Sequence, residues 1–311
     1  MMAAPELGTG PAVLAVDVGG TQLKAAVLDG AGRLGGVVRR PTPRSAEDPG
    51  DAIVVGVAAL LDELQRPDQR IGAIGLTIPG VVDEAAGIGR WSANLGWRDF
   101  GFRDALAART ELPIAVAHDV RAAGTAEARL GAARGVADAA IVVVGTGIAA
   151  ALRIDGHSYA GNGSAGELGH LVIDPSGPRC ACGKHGCLET LAAAPAIVRT
   201  YQELGGELVS GAAEVLARAQ GGDQRAVHAW SSATSALGAG LGALSALVAP
   251  ELIVLGGGLA EAGDALLGPV RAALSDYCAG LNVPRLVRAE LGHDAGTWGA
   301  AILARDALLT R

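Results

Sequence analysis

Apolar positions run almost unbroken in two parts of the chain, and both runs break on glycines in the same way. "AVLAVDVGGTQLKAAVLDG" reads as a strand, a polar turn carrying Asp17, Gly19, Gly20 and Thr21, and a second strand ending at an Asp29–Gly30 turn. "AIVVVGTGIAAALRIDG" repeats that plan with Gly145, Thr146 and Gly147, and closes on Asp155–Gly156. One device is built twice. Between the copies the spacing predicts helices over 51–65 and 102–110, a strand in "IGAIGLTIPG", and a strand "IAVAHD" that runs into a helix from Val120. Beyond residue 187 come helical stretches through Leu247, a strand "ELIVLGGGLA", a helix, a strand "RLVRAEL" and a last helix over 295–309. This alternation is α/β architecture. The repeat predicts a boundary near residues 117–120, with a first domain over 1–118, joined by the C-terminal helix 296–311, and a larger second domain over 119–295.

Composition narrows the class. A chain of 311 residues, half of them hydrophobic, can bury a core in about two domains. With 47 glycines and only 3% aromatics, packing relies on Val, Leu, Ala and Ile, and many turns must approach something closely. A formal charge of -7 disfavours phosphate backbones and anionic lipid, so neither nucleic acid nor membrane is an expected partner. No apolar run reaches the roughly 20 residues of a spanning helix. The start "MMAAPELGTGP" lacks the basic-then-apolar order of a secretory signal, and a cytoplasmic location is the expectation.

The paired turns invite a phosphate. Glycines let backbone N–H groups approach an anion without a Cβ in the way, and the Thr21 hydroxyl adds a donor. Asp17 repels phosphate but can hold Mg²⁺ or its waters beside one. Gly145, Thr146 and Gly147 would form an opposite wall, and Lys24 joins the cofactor-binding candidates. The plain alternative is that each is a tight hairpin turn. Neither copy has the Gly-Lys-Ser/Thr ending of a P-loop or the G-x-G-x-x-G of a dinucleotide fold. A third run, Gly256–Gly257–Gly258, follows a strand and precedes a helix, where α/β sheets often meet ligands.

Three of the four cysteines fall within eight residues, as Cys180-x-Cys182-x4-Cys187, on a loop freed by Gly183 and Gly186. Such a set suits a metal in a reducing compartment better than disulfides. A tetrahedral site needs a fourth ligand, for which His170 is the first choice and His185 the competitor. Four protein ligands leave no open position, so the ion, a structural Zn²⁺, would be scaffold. Thiols without metal are the alternative. An iron–sulfur cluster fits less well, because Cys278 is remote. Fixing this loop would also fix Glu167 and Glu189 at its two ends.

In order, "DVGGT", "IPG", "GTGI", "GELGH" and "CACGKHGCLE" resemble the ROK kinases, which include bacterial glucokinases, over nearly the whole chain. The resemblance implies an α/β, actin-like (ribonuclease H-like) fold of two domains around a nucleotide and sugar cleft. It implies ATP with Mg²⁺, phosphoryl transfer to a hexose 6-hydroxyl, a structural zinc at His170, Cys180, Cys182 and Cys187, and a homodimer or homotetramer. Carried residue by residue, Asn94, Asp119, Glu167, His170 and Glu189 fall at sugar-contacting positions, with Asp119 as the base, and Gly257 joins the nucleotide positions. Carboxylates and an amide are apt for an uncharged ligand rich in hydroxyls. An Asp before a helix is equally a good N-cap.

The chain departs from the family pattern twice: His118 stands where Asn usually precedes the base, and Ala149, Ala150 and Ala151 follow the second turn where glycines are usual. Some family members are repressors with a helix-turn-helix ahead of the sugar-binding body; about ten residues precede the first strand here, too few for that module. A kinase for N-acetylmannosamine, N-acetylglucosamine or fructose, or a non-catalytic sugar sensor, are the competing readings.

Overall fold

The computed structural model describes residues 5–309, which form two compact units. The first comprises the chain up to Gly135, Ser158–Ala165 and the C-terminal stretch from His293; the second comprises Val136–His157 and Gly166–Gly292. Residues 117–120 lie inside the first unit. The domain limits drawn from the sequence also take in residues 1–4 and 310–311, which lie outside the described residues.

In the first unit the chain order is β1 (Ala12–Val18), β2 (Gln22–Leu28), β3 (Val38–Pro41), α1 (Pro49–Leu64), β4 (Ile71–Ile78), β5 (Val81–Asp83), β6 (Ile88–Trp91), β7 (Arg98–Gly101), α2 (Phe102–Ala107), β8 (Ile114–His118) and α3 (Asp119–Leu130). Helix α1 starts two residues before the expected point because Asp48 caps it, accepting from the Asp51 N–H, and Pro49 suits the first helical turn. The main sheet has the order β3-β2-β1-β4-β8, with β1 antiparallel to β2 and parallel to β4, and β4 parallel to β8. Every residue of β1 is buried, as befits a central strand. Strands β5, β6 and β7 form a separate small sheet.

The second unit carries β9 (Ala139–Val144), β10 (Ile148–Ile154), α4 (Leu188–Ala192), α5 (Ala194–Glu203), α6 (Ala212–Gln220), α7 (Gln224–Val248), β12 (Leu252–Gly256), α8 (Asp264–Tyr277) and β13 (Arg285–Arg288), and β11 (His157–Tyr159) begins in it and runs on into the 158–165 segment. Its sheet has the order β11-β10-β9-β12-β13, with β9 antiparallel to β10 and parallel to β12, and β12 parallel to β13. These are the senses of the first sheet. The repeated pattern is thus a repeated topology.

Helix α7 revises one expectation. At 25 residues it is long and apolar enough to cross a membrane by length and composition, because Ser, Thr and Gly interrupt apolar runs that look short in the sequence. It is nevertheless the core helix of its unit, packed against α4, α5, α6 and α8. Its glycines permit that packing: a Cβ on Gly240 would meet Leu188 at 2.5 Å, and one on Gly238 would meet Ala273 at 2.4 Å.

The last helix, α9 (Ala295–Leu309), belongs to the first unit and packs on β1, β4 and α3. Its buried Arg305 donates to the carbonyls of Gly8, Pro11 and Asp29, tying the end of the chain to the approach of β1.

Candidate active site

The first glycine turn stands at the carboxyl end of β1. Asp17 pairs across β1–β2 with Lys24, and their charged ends are 3.5 Å apart. The buried Thr77 hydroxyl donates to the Asp17 carboxylate at 2.8 Å, and Lys24 Nζ donates to the His293 carbonyl. Asp17 lies against the first turn of α9, which Gly296 makes possible: a Cβ there would come within 2.5 Å of Asp17 Oδ2. A carboxylate is favoured beside a helix N-terminus. Within the turn the Gly19 N–H is spent on the Gln22 carbonyl at 2.9 Å. Among the described residues, the Gly20 and Thr21 N–H groups meet no backbone acceptor.

Two side chains absent from the sequence reading hold this turn. Thr42 Oγ1 donates to the Gly19 carbonyl at 2.7 Å, and Arg44 Nη2 donates to the Gly20 carbonyl at 2.7 Å. Arg44 Nη1 also donates to the Asn94 carbonyl at 3.3 Å, so one guanidinium links the glycine turn to the turn that carries Asn94. Nothing in the local sequence marks Arg44, because its partners lie 24 and 50 positions away.

Asp119 is reached along the same sheet edge. Asp17 aligns with Thr77 on β4, and Thr77 with Ala117 on β8, so Asp119 follows two residues beyond that row. The carboxyl edge of parallel strands is where α/β sheets place ligands. The structure assigns the N-cap role to His118, whose Nδ1 accepts from the Arg121 N–H at 3.4 Å. Asp119 is the first helical residue, and its Oδ1 accepts from the Val120 N–H at 2.7 Å. Burial, with the nearby Arg121 charge, pushes the His118 imidazole down from 6.5 to about 3. His118 is therefore neutral, and its Nδ1, 3.4 Å from Asp119 Oδ1, makes no ion pair with it.

In the second unit the turn at Gly145–Gly147 is braced by a carboxylate. Glu189, in the first turn of α4, accepts from the Ile148 N–H at 3.2 Å, and a Cβ on Gly147 would stand 2.5 Å from Glu189 Oε2. The Gly145 N–H donates to the Gly147 carbonyl at 2.9 Å, a tighter closure than the Gly19–Gln22 bond of the first turn. Gly257, with φ +83°, passes the end of β9 so closely that a Cβ would lie 2.4 Å from the Val144 carbonyl. Ala150 and Ala151 are buried within β10 and Ala149 is half-buried, so two of the three alanines fill the packing of the sheet.

The cysteine loop gathers four potential ligands. Atoms of His170, Cys180, Cys182 and Cys187 all lie within 4.8 Å of one another. Cys182 and Cys187 sulfurs are 3.6 Å apart, as are Cys180 Sγ and His170 Nδ1. Zinc bonds of about 2.3 Å to sulfur and about 2.0 Å to nitrogen give tetrahedral edges of roughly 3.5–3.8 Å, so the donors fit that ion in both chemistry and spacing. His185 turns away, with Nδ1 3.2 Å from the Gly177 carbonyl, and is not among the gathered donors. Burial pushes the Cys187 thiol up to about 12, while the backbone N–H of Lys184 leads the effects that lower Cys182. His170 Nε2 stands 3.9 Å from Glu167 Oε2. Gly186, at φ +64°, is obligatory: a Cβ would collide with the Asp174 carbonyl at 1.4 Å. Lys184 Nζ closes the loop on the His170 carbonyl at 2.7 Å.

With these positions known, comparison places the chain among described proteins. The ROK family model matches residues 13–307. A glucokinase of Halalkalibacterium halodurans is 33% identical, with 94% of each chain covered. An N-acetylmannosamine kinase of Citrobacter koseri is 35% identical over 94% of this chain and 98% of its own. Among solved structures, a ROK hexokinase from Thermus thermophilus has a TM-score of 0.83 at 35% identity, covering 96% of this chain and all of its own (100%). A ROK family glucokinase from Streptomyces griseus, crystallised with glucose and AMPPNP, has a TM-score of 0.82 at 30% identity, covering 95% and 99%. The likeness to these structures runs the length of both units, in agreement with the actin-like α/β architecture expected from the sequence.

Proposed function

This chain belongs to the ROK family, and from that premise we propose that it is an ATP-dependent hexose kinase that phosphorylates the sugar 6-hydroxyl, with glucose as the preferred acceptor. The observation that supports this most is the sheet edge of the first unit, where the glycine turn with Asp17 and the strand end leading to Asp119 share one row of register. ATP brings an electrophilic phosphoryl group, with Mg²⁺ offsetting its charge. The N–H groups of Gly20 and Thr21, which meet no backbone acceptor among the described residues, serve the nucleotide phosphates. Asp17 already accepts from Thr77 and faces Lys24, so it suits magnesium-bound waters rather than the bare ion.

Asp119 takes the proton of the attacking hydroxyl. One of its oxygens accepts from the Val120 N–H, which orients the carboxylate. His118, being neutral, makes no ion pair with Asp119. Within the second unit, Glu167, His170 and Glu189 bind sugar hydroxyls. His170, Cys180, Cys182 and Cys187 would hold a structural zinc, which would supply fixed geometry and no chemistry; His170 would offer it Nδ1, leaving Nε2 on the side of Glu167. A cytoplasmic location accords with three clustered cysteines that form no disulfide.

The relationship to an N-acetylmannosamine kinase favours a second acceptor, a 2-acetamido sugar. Competing hexoses, N-acetylmannosamine included, with ATP or polyphosphate as donor, test the assignment. The proposal expects the highest kcat/KM for glucose with ATP. Preference for the acetamido sugar would select the second reading, and no transfer to any sugar would refute both.

A further inference from the structure

Behind Asp119 stands a network that the kinase reading has not used. Glu84 lies just past β5, and a single oxygen, Oε1, accepts twice: from the His118 backbone N–H at 3.0 Å and from Arg121 Nε at 2.7 Å. The two donors flank the base, one residue before it and two after it. Arg121 is almost wholly buried, and its remaining nitrogens donate to the Gly163 carbonyl at 3.2 Å and the Val82 carbonyl at 3.5 Å. The Arg121 N–H donates in turn to His118 Nδ1. Strand end, first turn of α3 and the 158–165 segment thus converge on one guanidinium–carboxylate pair.

A buried arginine is costly without a counter-ion, so a fold that needed only packing would be served by an apolar side chain of similar size. What the pair adds is direction. His118 N and Arg121 Nε chelate one oxygen, so the four-residue arc 118–121 can neither slide along β8 nor rotate about α3 without losing a charge-assisted bond. Asp119 is the only carboxylate on that arc. We infer that Glu84 and Arg121 are positioning residues for phosphoryl transfer, fixing Asp119 in the orientation from which it accepts the sugar proton. This rests on Asp119 being the base, as proposed above. Displacement of a reacting group by about 1 Å can cost on the order of 10²-fold in rate, which is the scale of effect to expect.

The test is a double-mutant cycle in which Glu84→Ala and Asp119→Asn are made singly and together. Single-turnover phosphoryl transfer is measured with enzyme in excess, and rates are normalised to sugar-binding-competent protein. Glu84→Ala should lower kcat on the order of 10²-fold with KM for ATP nearly unchanged, yet cost less than about 3-fold in the Asp119→Asn background. Glu84→Gln, whose amide oxygen still accepts both bonds, should recover most of the rate. A general structural role would instead lower both backgrounds by the same factor, and equal losses overturn the inference. If Glu84→Ala does not fold, the comparison rests on Glu84→Gln and Arg121→Lys in the same two backgrounds, and equal losses again overturn it. A wild type that transfers phosphate with no dependence on Asp119 removes the base assignment, and the inference falls with it.

Discussion

The two glycine turns occupy the same seat in two sheets of the same topology, yet they are stabilised by different means. In the first, the strands behind the turn carry a charged pair, Asp17 facing Lys24; at the corresponding register in the second stand Val143 and Ala149. Side-chain donors from Thr42, Arg44 and Thr77 surround the first turn, whereas the second leans on the Glu189 carboxylate and a backbone bond from Ala194 to Gly145. The backbone topology is shared, and the side chains on it differ. The charged pair sits on one copy; the other is held by Glu189, two residues beyond the last cysteine of the loop.

The largest effect should follow from removing the charge that distinguishes the first copy. Asp17→Asn is expected to lower the transfer rate about 10²-fold or more and raise the Mg²⁺ requirement, while Val143→Ala should alter thermal stability and leave the rate near wild type. Rates measured across a magnesium titration decide it, and equal sensitivity of the two positions would erase the contrast.

A methyl group probes the turns more gently. Gly147→Ala must displace Glu189, and losing a hydrogen bond to a charged group corresponds to about 10-fold or more in sugar affinity. Gly20→Ala, with nothing within 4 Å of its Cβ, should bind sugar as wild type does. Calorimetric titration of both variants checks this pair.

Breaking the cysteine loop should act along the same route. Cys182→Ser removes a ligand, so it is expected to lower zinc affinity by more than the roughly 10- to 100-fold that loss of an outer-shell partner costs and to weaken sugar binding through Glu167 and Glu189. Zinc content and sugar affinity from the same samples test it; unchanged affinity in folded, metal-free protein would disconnect loop from site.

The smallest effect concerns acid stability. His118 is neutral in the folded protein down to about pH 3 but is protonated below about 6.5 once unfolded. The unfolded chain therefore binds the extra proton, and stability falls as pH drops through that window, by at most about 1.4 kcal/mol per pH unit. His118→Asn removes this contribution, so urea unfolding at pH 7 and pH 5 should show a smaller pH dependence than in wild type. Identical slopes would mean that His118 is not held neutral.

Much of this was legible in the sequence because it is local. The hairpin repeat, the helix over 295–309 and the cysteine spacing are short-range patterns, and the structure has strands and turns where those patterns fall. The choice of His170 over His185 was chemical, resting on loop geometry, and the turn of His185 toward Gly177 accords with it. What stayed hidden is long-range. Thr77 meets Asp17 across 60 positions and Arg121 meets Glu84 across 37, and neither segment carries a local signal of its partner. Likewise α7 disguised its length, because glycines that allow close helix packing read as breaks in an apolar run.

The most direct measurement is ATP-dependent formation of hexose 6-phosphate by wild type and Asp119→Asn, with glucose affinity measured on both. Transfer by wild type, reduced about 10²- to 10⁴-fold in the variant while glucose still binds, is the predicted result. A variant that phosphorylates glucose at the wild-type rate would contradict the account.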